Sequence, residues 1–474
     1  MLTFQDFEKA TDIPEFISQA IAEHLRSDKY RTAISADKYD HQLNETIYNY
    51  VKLMFDVLGT PLIDFTASNN KIASNFFHRL NTQRCEYLLG NGVSFTDNVT
   101  ETMTKDGNIQ TVDQTKEYFG KKFDSDLKKV VYNGLIHGES YGYWVENGGN
   151  KNRLKVFTVP EFVPLVDEET GELRAGIRFW QIDNTKPMFV VLYEADGFTT
   201  FKGENGYSSL KEIRAKEKYI KTIVSSEFDG DQIIDEDNYP MLPIITFYGS
   251  SLKQSTLLGM RNGIDSYDLI RSGFANDLSD CAQVYWLLEN CTGMSDAEIE
   301  RFRDRLKFNH IAVADTDESK VTPYTQEIPY QARKEYLDHM RAGIYEDFGG
   351  LDVHTVAAGA TNDHIDAAYQ PLDEEADDLE YQVGEFLEKL LNLVGIEDSP
   401  VFKRNRISNE KETTDMILSA ADYLDDETIL NKLPFITVDE IYKILRNKDQ
   451  ENADRFNNDI GDEEDENNDD TIEE

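Results

Sequence analysis

The sequence predicts an α+β chain that is mostly helical, and three observations carry that reading. Apolar residues recur at helical spacing through the N-terminal part, the middle and the C-terminal part of the chain. The period drops to two between Ser140 and Phe247, with turn residues between the alternating runs. Near the C-terminal end, a Gly/Ala/Thr-rich loop feeds straight into a long, strongly acidic amphipathic helix.

Residues 1 to about 90 read as mainly helical, from the stripes Ile17, Ala20, Ile21, Leu25 and Phe76, Phe77, Leu80, Tyr87. Gly90 and Gly92 stop the second stripe and open an extended segment toward Phe95. A helix returns from Thr115 to Gly138, with Phe123, Leu127, Val130, Val131 and Gly134 on one side. Candidate strands then follow at Ser140–Val145, Leu154–Val159, Arg174–Ile182, Met188–Glu194 and Phe198–Lys202. Asn-Gly-Gly, Glu-Thr-Gly and Asp-Gly turns separate them, as in an antiparallel region. A flexible excursion is expected around Gly230 to Asn238, with Pro240 and Pro243 ending the β region.

A helix from Ser255 to Cys281 carries Ile264, Tyr267, Ile270, Phe274 and Leu278 at steps of three and four. A second, Gln331–Phe348, aligns Leu337, Met340, Ile344 and Phe348 and stops at Gly349-Gly350. Between them, the capping box Ser295–Glu298 opens a short helix to Lys307. Strands His310–Ala314 and Lys320–Thr325 flank the turn Asp315-Thr316-Asp317. Two similar helices around an insert place that insert at the far end of an antiparallel pair.

The loop reads Val353, His354, Thr355, Val356, Ala357, Ala358, Gly359, Ala360, Thr361, Asn362. In the helix after it, Leu372, Ala376, Leu379, Val383, Phe386 and Leu390 form a seam that packs lengthwise on a neighbour. Asp373, Glu374, Glu375, Asp377, Asp378 and Glu380 lie between those positions and give a face that repels polyanions. Pro371 should kink or break the helix near Ala367. A small-residue loop on a stiff acidic rod suits a moving or channel-lining part better than a catalytic pocket. Short helices follow from Asp398 to Asn447, one opened by the box Thr437–Glu440, and the acidic tail 449–474 should be disordered.

Bulk numbers narrow the function. At 474 residues the chain has room for about three domains. It carries 90 acidic against 48 basic side chains, a formal charge of −42. Equilibrium binding to a nucleic-acid backbone, which depends on Lys and Arg displacing counterions, is therefore disfavoured. Passage of a nucleic acid is not forbidden, because exposed charges act only within about 8 Å at physiological salt. Cys85, Cys281 and Cys291 have no metal-type spacing and suggest a reducing compartment. Asp6, Glu8 and Asp12 argue against a signal peptide, and no apolar stretch approaches the ~20 residues of a membrane span.

Catalytic signals are weak. Gly138-Glu139-Ser140-Tyr141-Gly142 fits the G-x-S-x-G pattern, but a nucleophile elbow needs a strand before the serine and a helix after it. Here a helix ends at Gly138 and a strand begins at Ser140, so a structural turn is the better reading. The scattered histidines, His354 and His364 among them, lack metal-ligand spacing. Asp229-Gly230-Asp231 and Asp315-Thr316-Asp317 complete no cation loop, and no Walker loop exists. We therefore expect no enzyme, no cofactor and no metal. The rival readings are a serine hydrolase using Ser140 and an acidic scaffolding or adaptor protein without a channel.

The order helical arm, β region, helix, αβ insert, helix, small-residue loop, long acidic helix and helical C-terminus resembles the portal proteins of tailed double-stranded DNA phages. The likeness is to the siphophage type from Gram-positive hosts. It rests on Tyr87–Val93, on Gly134 through Gly138, Ser140, Tyr141 and Gly142 to Trp144, on Val159-Pro160-Glu161, and on Arg178-Phe179-Trp180. Leu242–Ile245, Ile264–Asp268, Ser272–Asp277 and the stretch Val356–Leu390 complete it, so that it covers about residues 40–395. The chain departs from the family at Tyr248-Gly249-Ser250-Ser251, where a more polar link is expected.

The resemblance implies a homo-oligomeric ring, a dodecamer, at one capsid vertex. The ring would conduct double-stranded DNA during genome packaging and ejection without sequence-specific binding. Residues 1–245 would be the wing, with its β region at about 140–247, and 246–283 the first stem helix. Residues 284–330 would be the clip, 331–350 the second stem helix and 351–363 the tunnel loop. The long acidic helix of the wing would span 364–395, the crown 396–448 and the disordered tail 449–474. Implied partners are the terminase, the major capsid and scaffolding proteins, and a head–tail adaptor, with no membrane. The implied location is the virion, with the host cytoplasm during assembly. Asn362, Thr361 or a backbone N–H of the loop could touch the phosphate backbone.

Overall fold

The computed structural model describes residues 2–55, 58–65, 67–103, 109–146, 152–204, 206–226, 230–281, 285–289, 320–324, 329–353, 362–406, 410–424 and 428–430, with a few single positions besides. Helices and antiparallel strands alternate through it, as expected. The chain forms two compact units, one of residues 1–27, 82–254 and 349–474, the other of 28–81 and 255–348. This grouping cuts across the expected 1–245 segment, since residues 28–81 join the helix pair.

The first unit is layered. Its centre is a three-stranded sheet in the order Ile244–Tyr248, Glu139–Val145, Arg153–Thr158. One face of Glu139–Val145 presents Ser140 and Gly142 toward the Phe123–His137 helix and toward Phe386. The other presents Tyr141 and Tyr143 to the rings of Phe162 and Tyr193, with centroids 4.4 and 5.2 Å apart. Those two rings belong to a five-stranded sheet built from Phe162–Val166, Leu173–Trp180, Met188–Glu194, Gly197–Gly203 and Leu210–Glu217. Strand alternation then sends Val190 and Leu192 to the far side, where they pack with Phe16, Ile17, Ala20 and Ile21 of the Ile13–Arg26 helix. That helix begins cleanly because the Asp12 side chain accepts the Glu15 N–H and Pro14 sits in the first turn.

The second unit centres on the Leu257–Cys281 and Tyr330–Phe348 helices. They are antiparallel: Gly263 lies beside Ile344, while Phe274 meets Tyr330 and Asp277 pairs with Arg333 toward the other end. At that end Tyr285–Glu289 pairs with Lys320–Tyr324, so the insert sits where two bracketing helices place it. The first helix also carries a polar rail. Asp268 accepts from the Asn44 side chain and the Ser74 N–H, Ser272 from the Ile72 N–H at 3.0 Å, and Asn276 from the Asn70 N–H. Asp265 accepts from Tyr39 and Thr46. This ladder supplies partners to the backbone of an extended segment that pairs with no strand among the described residues.

Several expectations need correction. The N-terminal stretch is mainly helical, as expected, but it also holds a hairpin that the spacing did not show, Leu53–Phe55 with Pro61–Ile63. The expected Thr115–Gly138 helix is split at Gly120, whose φ of +86° ends one helix before Phe123 begins the next. Gly230–Asp237 is not an excursion but a strand paired with Ile220–Ser226, and Pro243 precedes a further strand instead of ending the sheet. The reading missed Phe162–Val166, a short apolar run without alternation and without a glycine turn before it. It missed Tyr285–Glu289 as well. The expected helix from Ser295 to Lys307 lies mostly outside the described residues. So do the strand His310–Ala314, the box Thr437–Glu440 and the tail 449–474.

Candidate functional site

The long acidic helix runs from Asn362 to Val394 and continues through Pro371; of a kink or a break, it does not break. Ile365 and Tyr369 before the proline, and Leu372 and Ala376 after it, lie in one buried cluster with Tyr87 and Leu351. Burial on both sides of Pro371 holds the helix across the missing hydrogen bond. All six seam residues are buried, Leu372 most exposed at 2%. The neighbour is not a helix along the whole length. Beyond Leu379 the seam joins the main core, where Phe386 meets the Phe247 ring edge-on at 6.0 Å.

The acidic face is not bare. Arg404, from the segment after the short Pro400–Phe402 strand, reaches Asp373 at 3.1 Å and Glu380 at 3.0 Å, and also pairs with Asp377. Arg406 reaches Asp366 at 2.9 Å and Asp373 at 3.6 Å, with its guanidinium 5.0 Å from the Tyr369 ring centroid. Arg84, itself buried, pairs with Glu375 at 3.1 Å. Asp378 accepts the Ser251 N–H at 2.9 Å, and Glu374 accepts from Gln370 at 3.2 Å. The Tyr87 hydroxyl donates to Asp373.

The electrostatics follow from this geometry. Burial works against the charge of Arg404, but hydrogen bonds to Asp377, Glu380 and Asp373 outweigh it and raise its pKa. Burial lowers Arg84, with Glu375 and Asp378 pulling the other way. Burial, then the Asp373 carboxylate, pushes the Tyr87 hydroxyl well above its ordinary range. Arg404 is thus a clamp that fixes the 400–406 segment on the helix. Backbone contacts reinforce it: Pro400–Phe402 pairs with Val93–Phe95, and the Asn405 N–H donates to Tyr87 O at 2.8 Å. Because the partners are partly exposed, Arg404→Ala should cost only about 1 kcal/mol of global stability. It should nonetheless raise amide exchange over residues 400–406 in hydrogen–deuterium exchange, and high salt should do the same to the unaltered chain. Unchanged exchange in the variant would mean that the strand pairing alone holds the segment.

The six acidic residues lie on one helix, and the sequence reading missed their cationic partners. A signal existed: Lys403-Arg404-Asn405-Arg406 is a basic run soon after the most acidic stretch of the helix. Of the loop, Val353 is exposed and Asn362 opens the helix; His354, Thr355, Val356, Ala357, Ala358, Gly359, Ala360 and Thr361 lie outside the described residues.

The G-x-S-x-G stretch has a structural explanation at each position. Gly138, with φ of +90°, caps the Phe123–His137 helix. Ser140 is fully buried and its Oγ donates to Val130 O at 2.7 Å, which anchors the strand to that helix. A Cβ on Gly142 would lie 2.6 Å from Phe386 Cζ, so the glycine lets the long helix close on the sheet. Ser140 is therefore sequestered in the core, where no substrate reaches it. Among the described residues, no group of three or more His, Cys, Asp or Glu side chains is placed to hold a metal ion. No described helix is long and apolar enough to cross a membrane.

Comparison with known proteins adds the family. The family described as "Phage portal protein, SPP1 Gp6-like" matches residues 30–454. The chain is 24% identical over 465 residues to the portal protein of Clostridium phage phiCD119, covering 92% of this chain and 99% of that one. It is also 24% identical over 421 residues to the portal protein of Bacillus phage SPP1, covering 81% and 76%. Among solved structures, it is similar to a chain in the neck of an empty GTA particle computed with C6 symmetry. The TM-score there is 0.43 at 9% identity, over 76% of this chain and 90% of the other. A chain in the neck of the native GTA particle computed with C12 symmetry gives 0.42 at 10% identity, over 76% and 89%.

Proposed function

The chain belongs to the SPP1 Gp6-like phage portal protein family, and from that membership we propose how its parts serve a ring-shaped DNA channel at the capsid vertex, used in genome packaging and ejection. The carrying observation is the family match across residues 30–454, nearly the whole chain. In this reading, copies assemble around an axis as a dodecameric ring. The Leu257–Cys281 and Tyr330–Phe348 helices are the stem, and the insert at their end is the clip. The layered sheets and the long helix form the wing, residues 351–363 the tunnel loop, and the region beyond 396 the crown. The polar rail of the Leu257–Cys281 helix supports the stem assignment, because it fixes residues 70–74 along the helix and stiffens it.

The clip docks the terminase during packaging and a head–tail adaptor afterwards, while the wing meets the capsid and scaffolding proteins. Assembly takes place in the host cytoplasm. An acidic inner surface lets the duplex move, since phosphates find no cationic well there. The arginine clamp refines this picture. Arg404, Arg406 and Arg84 are consumed by carboxylates of the same chain, so they offer little to DNA, while three arginines against the six carboxylates Asp373, Glu374, Glu375, Asp377, Asp378 and Glu380 leave the face negative. The tunnel loop gives the short-range contact to the backbone of the passing duplex.

Electron microscopy of the purified full chain tests the ring: particles with a central hole are expected. A strict monomer at high concentration, or a compact assembly without a hole, would favour the scaffolding or adaptor reading. Deleting Val356–Gly359 should leave rings intact and reduce packaged genomes severely in a packaging assay. Normal packaging by that variant would remove the loop from the proposed DNA contact.

A further inference from the structure

The Leu53–Phe55 and Pro61–Ile63 strands form a ribbon with no third strand beside it among the described residues. Every residue of both strands is exposed. Phe55 is 70% exposed and Phe65, just beyond the second strand, 89%. Leu53, Met54, Leu62 and Ile63 are exposed on the same ribbon. A two-stranded ribbon with this much uncovered apolar surface is marginal alone, and contiguous apolar patches usually mark a contact site.

The charge pattern says what covers it. Copies of a chain with net charge −42 repel one another, so a contact between copies forms best where charge is sparse. From Tyr48 to Phe65 the only charged residues are Lys52, Asp56 and Asp64. Ring closure also needs two different surfaces on each copy, one giving and one receiving. The same unit has an apolar surface of the second kind on its helices. Leu278 and Tyr330 are both exposed, and Tyr330 lies 5.7 Å from the Phe274 ring one helical turn before Leu278.

We propose that the Leu53–Ile63 hairpin is a contact by which each copy holds the next in the ring, its apolar side chains seated on the neighbouring copy. The inference rests on the ring reading above and adds the place where copies join. Phe55 and Phe65 are the anchors, large aromatic side chains that lose most of their exposure on assembly.

The full chain tests this in two ways. Phe55→Ser with Phe65→Ser should leave the thermal unfolding curve of the chain unchanged, because both side chains are exposed. The same pair should lower the fraction of chains in rings about tenfold or more. A photoreactive benzophenone amino acid in place of Phe65 should give adducts of two or more chains when assembled rings are irradiated. Rings that form undiminished from the double variant overturn the inference. So do adducts confined to a single chain, or formed only with a capsid, scaffolding or packaging protein in infected cells. If the unaltered chain makes no rings, the ring reading falls and takes the hairpin contact with it; rings from both chains overturn the hairpin alone.

Discussion

Gly142→Val is expected to destabilise the first unit by about 1–3 kcal/mol or more, the usual range for overpacking a filled core. The added Cβ would meet Phe386 Cζ at 2.6 Å and Leu154 Cδ1 at 3.1 Å, and a β-branched side chain adds two methyl groups beyond it. Phe386 is 1% exposed and sits mid-seam, so it has no free space to swing into. The strain falls on the contact that holds the long helix to the sheet. Urea unfolding of Gly142→Val should show a lower midpoint. Phe386→Ala alone should cost about 3–5 kcal/mol by leaving a cavity. The two changes together should cost less than their sum, since the truncated ring makes room for the valine. Full additivity would show that glycine and ring do not interact.

Asp268→Ala should have the largest effect on the second unit. The carboxylate is completely buried and receives the Asn44 side chain and the Ser74 N–H at 2.8 Å. Removing it strands buried donors, each costing about 1–3 kcal/mol. The extended 70–74 segment should then exchange its amides faster, which hydrogen–deuterium exchange reads directly. Asp268→Asn should behave differently with pH. Burial raises the Asp268 carboxyl above its ordinary 3.8, despite the hydrogen bonds that pull it down. A carboxyl raised on folding contributes most below its unfolded value and loses that contribution as pH rises through its folded value. The Asp268→Asn chain should lack that component of the pH dependence, seen as a flatter stability profile above about pH 4. An identical profile would mean that Asp268 does not titrate differently on folding.

Much of the fold was legible from spacing. The seam Leu372, Ala376, Leu379, Val383, Phe386, Leu390 is buried throughout, and the five strands read from alternation are present within a residue or two. Flanking turn residues marked even Glu139–Val145 and Met188–Glu194, strands packed on both faces. The reading failed at Phe162–Val166, a short apolar run that follows Val159-Pro160-Glu161 with no glycine turn before it, and at Gly230–Asp237, whose Asp-rich sequence resembles a loop. The G-x-S-x-G stretch was rightly read as a turn, but the reasons for its two core-facing residues, Val130 O and the Phe386 ring, lie far along the chain or across a helix.

By itself the sequence determined the element types, the acidic character and the ordered architecture that leads to the family, because composition and local period are properties of consecutive residues. Only the tertiary structure decided which carboxylates of the acidic helix meet an arginine and which glycines are compulsory. It also decided that residues 28–81 belong with the Leu257–Cys281 and Tyr330–Phe348 helices, and that one apolar hairpin stays uncovered. Those features depend on contacts between segments tens to hundreds of residues apart. No window along the chain contains both partners, and a charge or a glycine acquires its meaning from what folding brings against it.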